Sequence, residues 1–234
     1  MKNRTLAAAL LLLCVAAQAT AQTAAPAQTP TPANPPAPRP TPTPTEAQSA
    51  AAAAAQKKYD ALLEKAKKGE GPVDYKALRF AYFETPAYNP LVGMLDYRAL
   101  WTQVMQKNWA EAVKQADAVL GKNYVDANAH MVAFIAHREL GNGEQAKLHR
   151  RWADGLLDSI KSGGDGKSAE TAWHVISISE EYAVMRSLSL RATGQSLANQ
   201  NGHAYDVMKT VDPQNVEATY YFNVDKPFSA YGRK

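Results

Sequence analysis

Cysteine is all but missing from this chain: Cys14 is the single one among 234 residues, and it lies inside an apolar run near the N-terminus. Once that run is removed, no disulfide, thiolate nucleophile or cysteine-ligated metal remains, and stability has to come from a packed core. A lipid anchor is disfavoured as well, because Leu13 stands where a lipoprotein signal needs a small residue. Neither sign of charge is in excess, with 26 Lys and Arg against 22 Asp and Glu. Loss of Lys2 and Arg4 with a signal lowers the formal charge from +4 to +2, and a surface so balanced has no strong pull on nucleic acid or membrane. The lysines at 57, 58, 65, 67 and 68 are interleaved with Asp60 and Glu64 and read as a solvated helix face. No HExxH motif occurs. His130 and His137 are separated by ~10.5 Å of helical rise, too far to share one zinc, and His149 beside Arg150 and Arg151 reads as surface. Neither a metal nor a cofactor is expected.

Only the N-terminus is hydrophobic as a run. Lys2 and Arg4 precede an apolar core from Leu6 to Ala17, followed by Ala19, Thr20 and Ala21, the three parts of a secretory signal covering residues 1–21. The core is shorter than the ~20 residues of a membrane-crossing helix, so the expectation is a periplasmic or secreted protein with no membrane insertion after cleavage. An uncleaved signal would be a tether. Residues 22–55 read as a Pro/Ala/Thr-rich linker, with nine prolines between Thr23 and Thr45; such a stretch cannot bury apolar surface and is expected to be extended and disordered. The alanine run 50–55 extends the next helix at most. Folding is expected to begin near Gln56, with 56–234 one folded unit of two halves.

Residues 56–162 form the helical half. Tyr59, Leu62, Leu63 and Ala66 make a helical stripe ending at Gly69 and Gly71, and a second helix after Pro72, with Tyr75, Leu78 and Tyr82 on one side, stops at "ETPAYNP". From Leu91 to Ile160 the pattern is helix, break, helix, repeated once. Ala112 and Ala146 are 34 residues apart, as are Ala99 and Ala133. Small residues at that period mark tetratricopeptide-like helical hairpins, and "LGNGEQA" resembles that family's turn, with Gly143 where the first copy has Trp109. Two such repeats either present a concave face, lined by Tyr97, Trp101, Phe134 and His137, or buttress a neighbouring sheet.

Residues 163–234 form the sheet half, so the fold class is α+β: helical hairpins packed with a small, mostly antiparallel sheet. "TAWHVISIS" reads as a strand ending at Ser179, which caps a helix carrying Glu180 and Glu181 in its first turn, where carboxylates suit the positive helix end. Asn201-Gly202 is the preferred pair of a two-residue hairpin turn; a second turn falls at Asp212 to Asn215, and the last strand alternates from Val216 to Val224. Carried through both turns, the register puts His203, Tyr205 and Val207 on the packed face with Tyr220 and Phe222. It gathers Gln195, Asp206, Tyr221 and Asn223 into a polar row on the other face, with Asp225 further along. These four residues, with Glu180 and Glu181, are the candidate ligand-binding site. A slip of one residue would exchange the faces.

"DYKALRFAYFETPAYNP", "TAWHVISISEEYAVMRSLSL", "GQSLANQNGHAYDVM" and "YYFNVDKPF" resemble, in order, a bacterial family of unknown function, DUF4919, over residues 72–228. The resemblance implies an exported or cell-envelope protein with both halves in one unit; it carries over no catalytic residue. The expected function is non-enzymatic binding of an envelope protein, peptide or small ligand where helices and sheet meet. The alternative is a hydrolase-like enzyme drawing acid and base from Glu180, Glu181, Asp206, His174 and His203, which would have to share one substrate.

Overall fold

Thr45 accepts a hydrogen bond from the Gln48 N–H while the Gln48 side chain accepts from the Thr45 N–H, a reciprocal cap that starts a helix where the sequence suggested linker. The computed structural model describes residues 45–90 and 92–231, with the side chains of 92–96 and 231 excepted; the expected signal and most of the proline-rich linker lie outside them. The described residues form α1 (Glu46–Lys68), α2 (Tyr75–Glu84), α3 (Val92–Met105), α4 (Trp109–Leu120), α5 (Ala127–Glu139), α6 (Gly143–Lys161), β1 (Trp173–His174), α7 (Ile178–Ser187), β2 (Arg191–Gln200), β3 (His203–Val211), β4 (Glu217–Asn223) and α8 (Asp225–Tyr231). Helical order thus begins ten residues before Gln56, because alanine is the best helix former and the cap fixes its start. Among the described residues no helix is long and apolar enough to cross a membrane.

The 34-residue echo is present in the backbone. Lys107 and Gly141, which end α3 and α5, are both left-handed, with φ of 58° and 77°. Asn108 and Asn142 share φ near −83° and ψ near 66°, and each returns its N–H to the carbonyl five residues earlier. Ala112 and Ala146 are buried as the period requires, but Ala99 is exposed while Ala133 is buried, so the first helix pair does not bury every residue its counterpart does. One apolar cluster joins α3, α4 and α5 around Leu100, Trp101 and Ala133. A second gathers α1, α2 and α6 with the sheet and α7 around Leu78, Trp152, Phe222 and Val184. Gly155 on α6 lets the ring of Tyr75 come so close that a Cβ there would lie 2.2 Å from it.

The sheet order is β1-β4-β3-β2, with β1 parallel to β4 and the other pairings antiparallel. Asn201 and Gly202, φ 53° and 79°, make the expected β2–β3 turn with both centres left-handed. β1 is only two residues long, and the chain after it turns into α7 at Ile178 rather than running on to Ser179. Ser177, not Ser179, is the cap, with no capping bond from its side chain; its Oγ pairs with Ser179 Oγ at 2.9 Å, and the Glu180 carboxylate accepts from the Ile176 N–H at 2.8 Å. α8, which the alternation did not suggest, begins at Asp225.

Candidate functional site

The junction between helices and sheet is held by a charge pair out of contact with water. Arg79 on α2 donates from Nε and Nη2 to the two oxygens of Glu180 at 2.7 and 2.6 Å, from Nη1 to Ser159 Oγ, and from Nη2 to the His174 carbonyl. Arg79 has no exposed surface and Glu180 4%. A bidentate pair with its other donors satisfied is the form in which buried charge is tolerated, so Glu180 is a fastener here, with both oxygens engaged.

Glu181 points the other way, onto the sheet. It is wholly buried, and neither of its oxygens has a hydrogen-bond partner among the described residues. Its neighbour is Asp206, whose Oδ2 accepts from Gln195 Nε2 at 2.8 Å. Burial first, then the Asp206 charge, pushes Glu181 well above the usual carboxylate range; burial also raises Asp206, against the pull of Gln195 and Glu181. Burial beside Asp206 therefore favours the protonated form of Glu181.

The expected polar row does not form. Asp206 lies opposite Phe222 and Leu197, whereas Tyr221 lies opposite Val207 and Asn223 opposite Tyr205. Gln195 and Asp206 are therefore on the helix-covered face, and Tyr221 and Asn223 on the other, with His203, Tyr205 and Val207. The register runs one residue from that expected, and such a slip exchanges faces. Asn223 Nδ2 instead donates to Asp225 Oδ2, which also accepts from His203 Nδ1 at 2.6 Å. The acid and base candidates are thus dispersed: Glu180 is locked to Arg79, Glu181 and Asp206 are sealed, and His174 and His203 are at the surface.

His149, expected at the surface, is buried and 3.0 Å from His130, Nδ1 to Nδ1. His130 Nε2 lies 3.0 Å from the Tyr124 carbonyl; a carbonyl only accepts, so the proton is on Nε2, and Nδ1 must accept from His149 Nδ1–H. Burial foremost pushes His130 down to about 3. Of the four residues proposed for a groove, Tyr97 borders an open concavity of about 450 Å³ with Tyr182 and Arg186; the Arg186 guanidinium covers Trp101 at 3.7 Å and donates to the Tyr97 hydroxyl, while Phe134 is flanked by Arg138 and Arg150. Among the described residues no three metal-binding side chains converge.

A cleft of about 640 Å³ lies elsewhere, between α1, the end of α2, the α4–α5 connection and the β1–α7 junction. Four tyrosines build it. Tyr59 and Tyr82 meet at 5.4 Å between ring centres, Tyr82 and Tyr88 at 5.8 Å, and the Tyr88 hydroxyl donates to the Ile176 carbonyl. Tyr124 stands edge-on to Trp152 at 4.9 Å, with the Lys67 ammonium 3.7 Å over its ring. Burial, then Asp126, pushes Tyr82 up to about 12; burial also raises Tyr59 and Tyr124. These phenols stay protonated near neutrality, so the cleft offers aromatic faces and hydroxyl groups rather than bases. Asn128 stiffens its wall, accepting from Trp101 Nε1 and donating to the Ser179 carbonyl. Of the residues singled out from the sequence as a site, only Glu180 borders the cleft. Tyr59 and Tyr82 were legible only as core-facing helix positions, and nothing in the spacing of Tyr88 and Tyr124 brings them to the same place.

No curated protein and no solved structure matches the chain. The family described as Domain of unknown function (DUF4919) matches residues 49–233, which takes in both halves from α1 to the last residues, and the chain belongs to that family.

Proposed function

We propose that this is an exported, non-enzymatic binding protein of the cell envelope whose ligand occupies the tyrosine-lined cleft. The observation that carries the reading is the cleft itself. Its 640 Å³ falls within the ~300–1,000 Å³ of ligand pockets, and aromatic walls with a few placed polar groups are what such pockets use. The signal-like N-terminus supports export. The repeated turns at 107–108 and 141–142 support the tetratricopeptide-like reading of the helical half, here as a wall rather than a groove. The test is native mass spectrometry of the purified full chain incubated with peptide and glycan fractions of the envelope. An adduct is expected on the wild type and not on Ala87→Trp, which fills the cleft from its exposed rim and should leave melting unchanged. A wild type without adduct, or an adduct retained by Ala87→Trp, overturns the reading.

A hydrolase-like enzyme is the competing reading, and one observation favours it: with Nδ1–H given to Asp225, His203 keeps Nε2 as a base in a half-exposed side chain. Hydrolysis of ester or amide substrates by the purified chain, lost in His203→Gln, would select it.

A further inference from the structure

The two edges of the sheet are unlike. β1 ends it with two residues, too short to template another strand. β2 ends it with ten, of which eight are exposed, and among the described residues no segment pairs with its outer side. Soluble proteins guard such an edge with lysine, proline, inward charge or a covering element. The stretch "RATGQSLANQ" has one charge, Arg191, and no proline. Leu197 at its middle is 53% exposed, although it lies on the face that β3 and β4 bury.

The geometry points to a second copy of this chain as the occupant, paired antiparallel, β2 to β2, about a two-fold axis at Ser196. Residues opposite one another across such an axis must lie on the same face. The cross-strand register of β2 puts Gly194, Ser196, Ala198 and Gln200 on one face and Gln195, Leu197 and Asn199 on the other. With Ser196 opposite itself, Gln195 meets Leu197 and Gly194 meets Ala198. The bulge between Ala192 and Gly194 then shifts the alternation by one, so that Arg191 comes opposite Gln200 on a shared face. The pairing is also matched in charge. Gln200 Nε2 holds the Glu170 carboxylate at 3.1 Å, so Arg191 of each copy arrives beside Glu170 of the other, and no like charges oppose. Two four-stranded sheets become one of eight, and the edge is satisfied.

Sedimentation equilibrium of the full chain tests this. A dimer in the micromolar range is expected. Arg191→Glu sets acid against Glu170 and should raise the dissociation constant about tenfold or more, and adding Glu170→Arg to it should restore the dimer. Leu197→Pro, which removes an N–H that points out of the free edge while the inward-facing Ser196 and Ala198 keep their bonds to β3, should give a monomer; circular dichroism establishes whether its fold is intact, and the charge swap reads the interface independently if it is not. A wild type that stays monomeric at ~100 μM overturns the inference, as does a dimer indifferent to Arg191→Glu.

Discussion

Acid should weaken this protein through His130. Both ring nitrogens are committed, Nε2–H to the Tyr124 carbonyl and Nδ1 to His149, so a further proton has no acceptor site left. Burial holds the ring at about 3, against ~6.5 in the unfolded chain. With the folded value the lower one, stability is complete above pH 6.5. Below that the unfolded chain takes a proton the folded chain refuses, and stability falls until the pH nears the folded value. From pH 7 to pH 5 the loss is about 2 kcal/mol, or about 4–8 °C in melting temperature for a folded unit of this size. His149, lowered by burial and then by His137, acts in the same direction. Glu181 acts in the opposite one: its folded value is raised, so its contribution is complete below ~4.5 and is lost as pH rises. The comparison to make is therefore wild type against His130→Gln, whose amide can still donate to the Tyr124 carbonyl but does not titrate; Glu181 is common to both. In urea unfolding at pH 5, 6 and 7, the stability gap between the two proteins should narrow by about 2 kcal/mol on going from pH 7 to 5. Parallel pH profiles would refute the argument, as would a His130 ring that titrates above pH 5 by NMR.

Three further predictions follow from the packing. Glu181→Gln removes a buried carboxyl whose ionisation is opposed by burial and by Asp206, so it should raise the melting temperature at pH 8 and flatten the decline between pH 5 and 8; a destabilised variant would mean that ionisation of Glu181 is not what weakens the protein there. Arg79→Met strands the buried Glu180 and should cost about 3–5 kcal/mol in urea unfolding, with Arg79→Met/Glu180→Gln recovering part of it; equal costs for the single and double variants would count against the charge argument. Gly155→Ala gains helix propensity of about 1 kcal/mol but drives a methyl into Tyr75, so a net loss of about 1–2 kcal/mol is expected, and a net gain would show that the Tyr75 ring yields.

What could be read from the residues was local. Asn201-Gly202 specified its turn, and the 34-residue spacing specified two matching helix ends, because each depends on a few consecutive backbone angles. Faces were harder. The register through the second hairpin came out one residue off, and that single step moved Asp206 from a solvent row onto the buried face beside Glu181. His149 was taken for surface from its arginine neighbours, yet it lies on the α6 stripe with Ala146, Trp152, Ala153 and Leu156, whose spacing of three and four marks a buried face. Arg79 and Glu180 give no local sign of each other, and the tyrosines of the cleft come from segments that only the tertiary fold brings together. Such long-range pairings leave no periodicity to detect.

The Arg79–Glu180 pair also bears on how the chain is made. The two residues are 101 positions apart, so a chain emerging from the ribosome or a translocation channel has α1 to α6 available well before the carboxylate that neutralises the guanidinium. Until residue 180 is free, seating α2 fully would bury an uncompensated charge, and the nascent helices should dock loosely. Chains arrested before that point should be digested readily by added protease, and resistance should appear as α7 clears the exit rather than growing helix by helix.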